Sequence, residues 1–160
     1  MRVLGIDPGM NGALALFDTT QDRLWIEDMP TVSYANKTGR KRRELSEAQL
    51  VLMVQNMRAE AALVEAVHAM PKQGVSSTFV FGMNFGIVRG VLAACAVPTQ
   101  FVTPREWKRM FGLGADKAQA RLVAARVFPA QADLFSRRMD DGRAEAALLA
   151  RYAANGSVRE

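Results

Sequence analysis

The segment RVLGIDPGMNGALALFD, residues 2–18, holds two short apolar runs that meet at an aspartate. The first run, RVLGID (2–7), ends on Asp7, directly before Pro8 and Gly9. Proline cannot donate to a strand ladder, and Gly9 and Gly12 permit a tight turn. The second run, ALALFD (13–18), is therefore expected to return antiparallel to the first. RLWIED (23–28) follows after TTQD, a turn-like cluster, and extends the meander to three strands. This arrangement sets the Asp7 carboxylate at a strand end, with backbone close on either side.

Beyond the meander the period changes. Residues 31–43 are polar and carry Lys37, Arg40, Lys41, Arg42 and Arg43 around Gly39, which reads as a basic, mobile loop. Ser46 and Glu47 mark a helix start, and Leu50, Met53, Val54 and Met57 recur at helical spacing. AALVEAV (61–67) reads as a buried strand and 76–96 as a long helix. After Pro98, QFVT (100–103) reads as a strand, and Pro104 suits the first turn of a short helix through Trp107 and Met110. Asp116 opens a helix that ends before Pro129, 130–139 is irregular and basic, and a last helix runs from Asp141 to Tyr152. Strands in a meander, then strands alternating with helices, predict an α/β mixed sheet with helices packed on it.

The totals are consistent with one domain over residues 1–160, since a core of this size is stable alone. Half the chain is apolar and the net charge is +5. Such a charge favours polyanions, nucleic acid above all, although a basic protein without a special partner has the same composition. Cys95 is the single cysteine, so neither an internal disulfide nor a Cys-rich zinc site is expected, as suits a reducing cytoplasm. The chain opens without a signal-peptide pattern. The longest apolar stretch, 79–97, is interrupted by Asn84 and Arg89, so no membrane span is expected.

Four acids stand out. Asp7 closes a strand, and Glu65 lies inside an apolar strand, where a carboxylate is costly unless paired or metal-bound. Asp141 and Glu145, four apart near the start of the last helix, project from one face. Carboxylates from separated segments suit Mg²⁺ or Mn²⁺, and two such ions about 4 Å apart support phosphodiester hydrolysis. Three of the acids also have a plain reading: Asp7 as turn former, Asp141 as helix cap, Glu145 as surface residue. Glu65 is harder to dismiss.

GIDPGMNGALALF, LVEAVHAMPKQG, the helix with Gly82 and Gly86, VTPREWKRMFGL, DKAQAR and DGRAEAALLARY occur in an order that resembles the RuvC family of Holliday-junction resolvases, especially its short phage and prophage branch. The resemblance covers nearly the whole chain. It implies a ribonuclease H-like fold, with a five-stranded mixed sheet and helices on both faces. It also implies a crossover-junction endonuclease with a two-ion centre held by Asp7, Glu65, Asp141 and Glu145. Family members commonly space the last two ligands three apart. Three before Glu145 stands Gly142, so Asp141 is taken as the substitute, with Asp140, rotated off the face of Glu145, as the weaker candidate. His68 occupies the position of an aromatic residue that stacks on DNA, and Lys117 that of a lysine facing the cleaved phosphate. Lys72 and the basic run Arg40, Lys41, Arg42 and Arg43 are candidate DNA contacts, with a merely solvated charge run as the alternative for that run. Gly82, Gly86 and Gly90 form a flat helical stripe, which fits either a homodimer interface or packing inside the monomer. A nuclease with loose selectivity for branched DNA, a non-catalytic junction-binding relative and a small ATPase-like fold are the competing readings.

Overall fold

The computed structural model describes residues 1–35, 39, 41–66, 74–114 and 116–157, with the backbone alone at Lys117 and Ser157. Strands β1 (Arg2–Asp7), β2 (Ala13–Asp18) and β3 (Arg23–Asp28) form the expected meander. β6 (Ala61–Glu65) and β7 (Thr99–Val102) add to it in parallel, giving the order β3-β2-β1-β6-β7. The five-stranded mixed sheet and its covering helices match the architecture expected from the sequence.

Period-two alternation decides which helix covers which face. Val3, Ala13, Ala15, Phe17, Leu63 and Val102 point to one side. There they meet α3 (Pro104–Met110), α4 (Lys117–Val127) and α5 (Asp141–Tyr152). Leu4, Ile6, Leu14, Leu16, Ala62 and Val64 point to the other, onto α1 (Glu47–Met57) and α2 (Val75–Ala94). Each fully buried Leu, Val or Phe contributes about 1.5–3 kcal/mol, so the two faces reinforce one register. A shift by one residue would exchange the two sets.

Helix α5 lies unusually close to the sheet. Its Ala144, Ala146, Ala147 and Ala150 are fully buried and bring little bulk. Opposite them is Gly5, where a Cβ would overlap the Ala146 carbonyl oxygen and the Ala150 amide nitrogen. At the start of the helix, a Cβ on Gly142 would overlap the Asn11 carbonyl oxygen. These two glycines let the helix seat against β1 and against the turn after it.

Two stretches differ from the sequence reading. Residues 31–43, expected as a mobile loop, contribute to a hairpin of β4 (Thr31–Ala35) and β5 (Lys41–Leu45), with Ser33 opposite Arg43 and Tyr34 opposite Arg42. Its residues are exposed along both strands, so no apolar alternation betrays it in the sequence. Its base is held by buried Met29 and Leu45, and Tyr34 donates to Glu44 across the strands. The stretch 130–139, expected as irregular, overlaps a kinked 3-10 helix, Pro129–Phe135, anchored by buried Phe135. Helix α2 is long and apolar enough to cross a membrane by length and composition, although Asn84, Val88, Val91 and Leu92 are buried against the rest of the chain.

Candidate metal centre

The register of the sheet builds the site. β1 and β6 run parallel with Ile6 beside Val64, so the next residues, Asp7 and Glu65, emerge together at the same sheet end. Both share the parity of Val3 and Leu63, the face covered by α3 and α5. Glu145 comes down from α5 to meet them. One ligand oxygen from each of Asp7, Glu65 and Glu145 lies within 4.8 Å of the others.

Neighbouring groups orient each carboxylate. Asp7 Oδ1 accepts the Gly9 N–H at 3.0 Å, which ties the side chain to the turn. Glu65 Oε1 accepts the indole N–H of Trp107 at 2.9 Å. Trp107 is fully buried, and a buried indole needs such an acceptor. Its short helix begins at Thr103, whose N–H and hydroxyl both donate to Glu106, at 2.9 and 2.6 Å. Those bonds hold the Glu106 carboxyl below the usual range. Glu145 Oε1 accepts from Lys108 Nζ at 2.8 Å. Burial pushes the Lys108 ammonium toward neutrality. Its bond to Glu145, with the charges of Glu145, Glu65 and Asp7, prevails and raises its pKa above the ordinary lysine value.

The two neighbouring aspartates differ sharply. Asp140 is 1 % exposed at the N-terminal end of α5. It accepts from the Arg137 backbone N–H at 2.7 Å and from the Arg137 guanidinium at 2.8 and 3.0 Å. Burial opposes its charge, but the Arg137 bonds outweigh it and hold the carboxyl below 3.8. Asp141 lies outside the three-carboxylate cluster: its Oδ1 is 2.9 Å from Arg121 Nε, a charge contact without hydrogen-bond geometry. Arg143 grips Asp28 with two bonds, at 2.6 and 2.7 Å, and its guanidinium holds the Asp28 carboxyl below the usual range.

Asp7, Glu65, Glu145, Asp140, Asp141, Lys108 and Arg43 all line a cavity of about 780 Å³. Three carboxylates converging from three elements repel one another unless positive charge lies between or beside them. All-oxygen donors in an open cavity fit a hard divalent cation, with Lys108 supplying part of the compensation.

The structure thus brings together Asp7, Glu65 and Glu145, and places Asp141 on the same cavity but against Arg121. Lys41 and Arg42 are exposed on β5, while Arg43 reaches back, donating to the Met10 carbonyl and, at 3.0 Å, to Asn11 Oδ1. Lys117 begins α4, with its side chain outside the described part; His68, Lys72 and Arg40 lie outside the described residues. Lys108, Trp107 and Arg121 escaped sequence reasoning. The one signal along the chain was a tryptophan beside a lysine in a short capped helix directly after a strand. Nothing in that pattern says which acid they face.

No protein-family model matches the chain, and no curated protein sequence matches it. Solved structures do. The chain is similar to Thermus thermophilus RuvC, with TM-score 0.58 and 20% identity over 98% of each chain. It is similar to T. thermophilus RuvC in complex with a Holliday junction substrate, with TM-score 0.64 and 18% identity, covering 98% of this chain and 97% of that one. The fowlpox virus Holliday junction resolvase aligns with TM-score 0.54 and 11% identity over 97% of this chain and 99% of that one. The fold is therefore the ribonuclease H-like fold of these resolvases.

Proposed function

We propose that the chain is a RuvC-family, metal-dependent endonuclease that cuts branched DNA, with the four-way Holliday junction as its preferred substrate. The observation that carries this reading is the convergence of Asp7, Glu65 and Glu145 within 4.8 Å beside Lys108. It is supported by the shared fold of a RuvC structure held with a Holliday junction substrate.

Asp7, Glu65 and Glu145 would hold a first Mg²⁺ or Mn²⁺, and Asp141, exchanging Arg121 for a cation, would help hold a second. The ions would supply an activated water and charge neutralisation at the phosphate. Trp107 keeps Glu65 in place through its indole N–H. Lys108, whose ammonium lies beside Glu145, would neutralise charge on the phosphoryl oxygens. Lys117 is assigned the same task from α4. Lys41 and Arg42 on the hairpin, together with Arg40, Lys72 and His68, would serve the duplex arms and the crossover. Arg43 contributes there and also braces the turn.

A homodimer on α2 would place two such centres on opposed strands. Val75, Phe79 and Met83 are exposed, and the positions of Gly82, Gly86 and Gly90 face open space among the described residues. That favours an interface over packing inside the monomer.

The deciding experiment incubates the protein with an end-labelled four-way junction, a flap and a linear duplex, with and without Mg²⁺. Paired, Mg²⁺-dependent nicks in opposed junction strands are expected. No metal-dependent cleavage, or equal cutting of the linear duplex, would overturn the reading.

A further inference from the structure

Asp140, Asp141 and Glu145, the acids around the start of α5, each meet a cation, and the three pairs are built differently. Asp140 is buried and receives aligned bonds from Arg137 at 2.7, 2.8 and 3.0 Å. Glu145 receives an aligned bond from Lys108 at 2.8 Å and belongs to the carboxylate cluster. Asp141 lies against Arg121, which comes from α4. Arg121 Nε and Asp141 Oδ1 are 2.9 Å apart and both shut off from solvent, yet the contact lacks hydrogen-bond geometry.

That difference decides what the Arg121 pair can do. Aligned, charge-assisted bonds fix both partners, as Arg137 does for Asp140 and Arg143 for Asp28. Arg121 supplies charge with little directional bonding, at atoms from which water is excluded and where Coulomb attraction is stronger than at the surface. A carboxylate held in this way keeps its place by charge alone and can exchange its partner for another cation. Asp141 has the access for that exchange: its side chain is 30 % exposed and lines the metal-centre cavity.

The charges around the cavity point the same way. Asp7, Glu65 and Glu145 converge, and Lys108 offsets one of their three charges, so one divalent cation suffices to neutralise the cluster. Asp141 and Arg121 neutralise each other and offer no net attraction to a second cation.

On the reading of the chain as a metal-dependent nuclease, we propose that Arg121 is a positioning residue for the metal centre. It keeps Asp141 neutralised and apart from Asp7, Glu65 and Glu145. The DNA-free protein therefore takes one divalent cation firmly and a second only weakly. Arg121 in this way sets the divalent-ion concentration at which the centre fills.

The test titrates Mn²⁺ alone into DNA-free protein and follows bound ion by loss of the free-ion electron paramagnetic resonance signal. The wild-type chain should bind one ion, and a second about 10-fold or more weaker. Arg121→Gln should tighten the second ion by about 10-fold, the scale on which one contacting charge shifts an equilibrium at a carboxylate. Arg121→Lys keeps the charge without the planar fork and should stay within about 3-fold of wild type. Adding Asp141→Asn to Arg121→Gln should abolish the gain, and the half-saturating Mg²⁺ for junction cleavage should fall in Arg121→Gln alone. An Arg121→Gln protein that binds both ions as wild type does, or whose gain survives Asp141→Asn, overturns the role of Arg121 and leaves the nuclease reading standing. So does an Arg121→Gln protein that melts far below wild type and binds Mn²⁺ more weakly, which would make Arg121 a brace between α4 and α5. A wild-type protein that binds no Mn²⁺ and cuts no DNA overturns the nuclease reading, and the role of Arg121 with it.

Discussion

At the scale of single residues, the site depends on carboxylates whose neighbours are as specific as they are. Asp7→Asn keeps the volume and the bond from Gly9 but removes a charge, so cleavage should fall by more than the 10–100-fold typical of outer-shell partners. Fold and junction affinity should stay near wild type; full Mg²⁺-dependent cleavage by this variant would count against the metal centre. Lys108→Met should cost about 10²–10³-fold in cleavage rate, measured by single-turnover kinetics, because it removes a donor placed for developing charge. Asp140 answers to a different measurement. Its carboxyl is held below 3.8 by Arg137, so its charged form is favoured in the folded state. A depressed carboxyl stabilises above the unfolded value, about 3.9, and that stability is lost as pH falls through the folded value. Asp140→Asn should therefore cost about 1–3 kcal/mol near pH 7 and progressively less below about pH 4, read by denaturant unfolding across pH. A difference that is constant with pH would show that the Arg137 pairing contributes nothing.

At the scale of elements, α5 and the hairpin divide the work. α5 carries Glu145 to the sheet only because Gly5 and Gly142 admit its backbone. Gly142→Ala sets a methyl against the Asn11 carbonyl oxygen, so the helix start must move away from the turn that holds Asp7. The expected loss is about 1–3 kcal/mol of stability together with a fall in metal-dependent cleavage, since the overpacked helix withdraws a ligand. Wild-type melting and cleavage together would mean that the turn yields freely. The hairpin is exposed and basic, and Lys41 and Arg42 bear on binding rather than chemistry. Changing both to Ala should weaken junction binding and flatten its logarithmic salt dependence by about 0.9 for each phosphate that is no longer neutralised. An unchanged slope would make them solvated charges only. Arg43 is separate, because its bonds to Met10 and Asn11 tie the hairpin to the turn after β1.

At the scale of the whole molecule, one face of α2 is without a partner among the described residues. Phe79 is 71 % exposed and Met83 38 %, with the glycine stripe between and beyond them. A large apolar patch beside flat backbone suits a second copy of the chain. Replacing Phe79 and Met83 with Glu should convert a dimer to a monomer in sedimentation at micromolar concentration. Junction cleavage should then change from paired incisions to single nicks. A wild-type protein that sediments as a monomer with the junction bound would remove the two-fold arrangement from the proposal.

Much of this was legible along the chain, and the reason is local. The apolar runs 2–7 and 13–18 and the turn at Pro8 and Gly9 mark the first two strands to the residue. Asp141 and Tyr152 bound the last helix as its pattern predicts. Glu65 is conspicuous because an acid in an apolar strand needs a partner, whatever the fold. The hairpin was not legible, because its strands are exposed on both faces and leave no apolar period to read. Convergence was not legible either. That Asp7 meets Glu65 follows from a parallel register between strands more than fifty residues apart. That Glu145 joins them while Asp141 turns to Arg121 follows from the seating of α5 and the course of α4. Lys108 and Trp107 became partners of the acids through the same packing. Periodicity and composition act over a few residues and are written in the sequence; distances between elements are set by how the two core faces pack, and only the tertiary structure decides them.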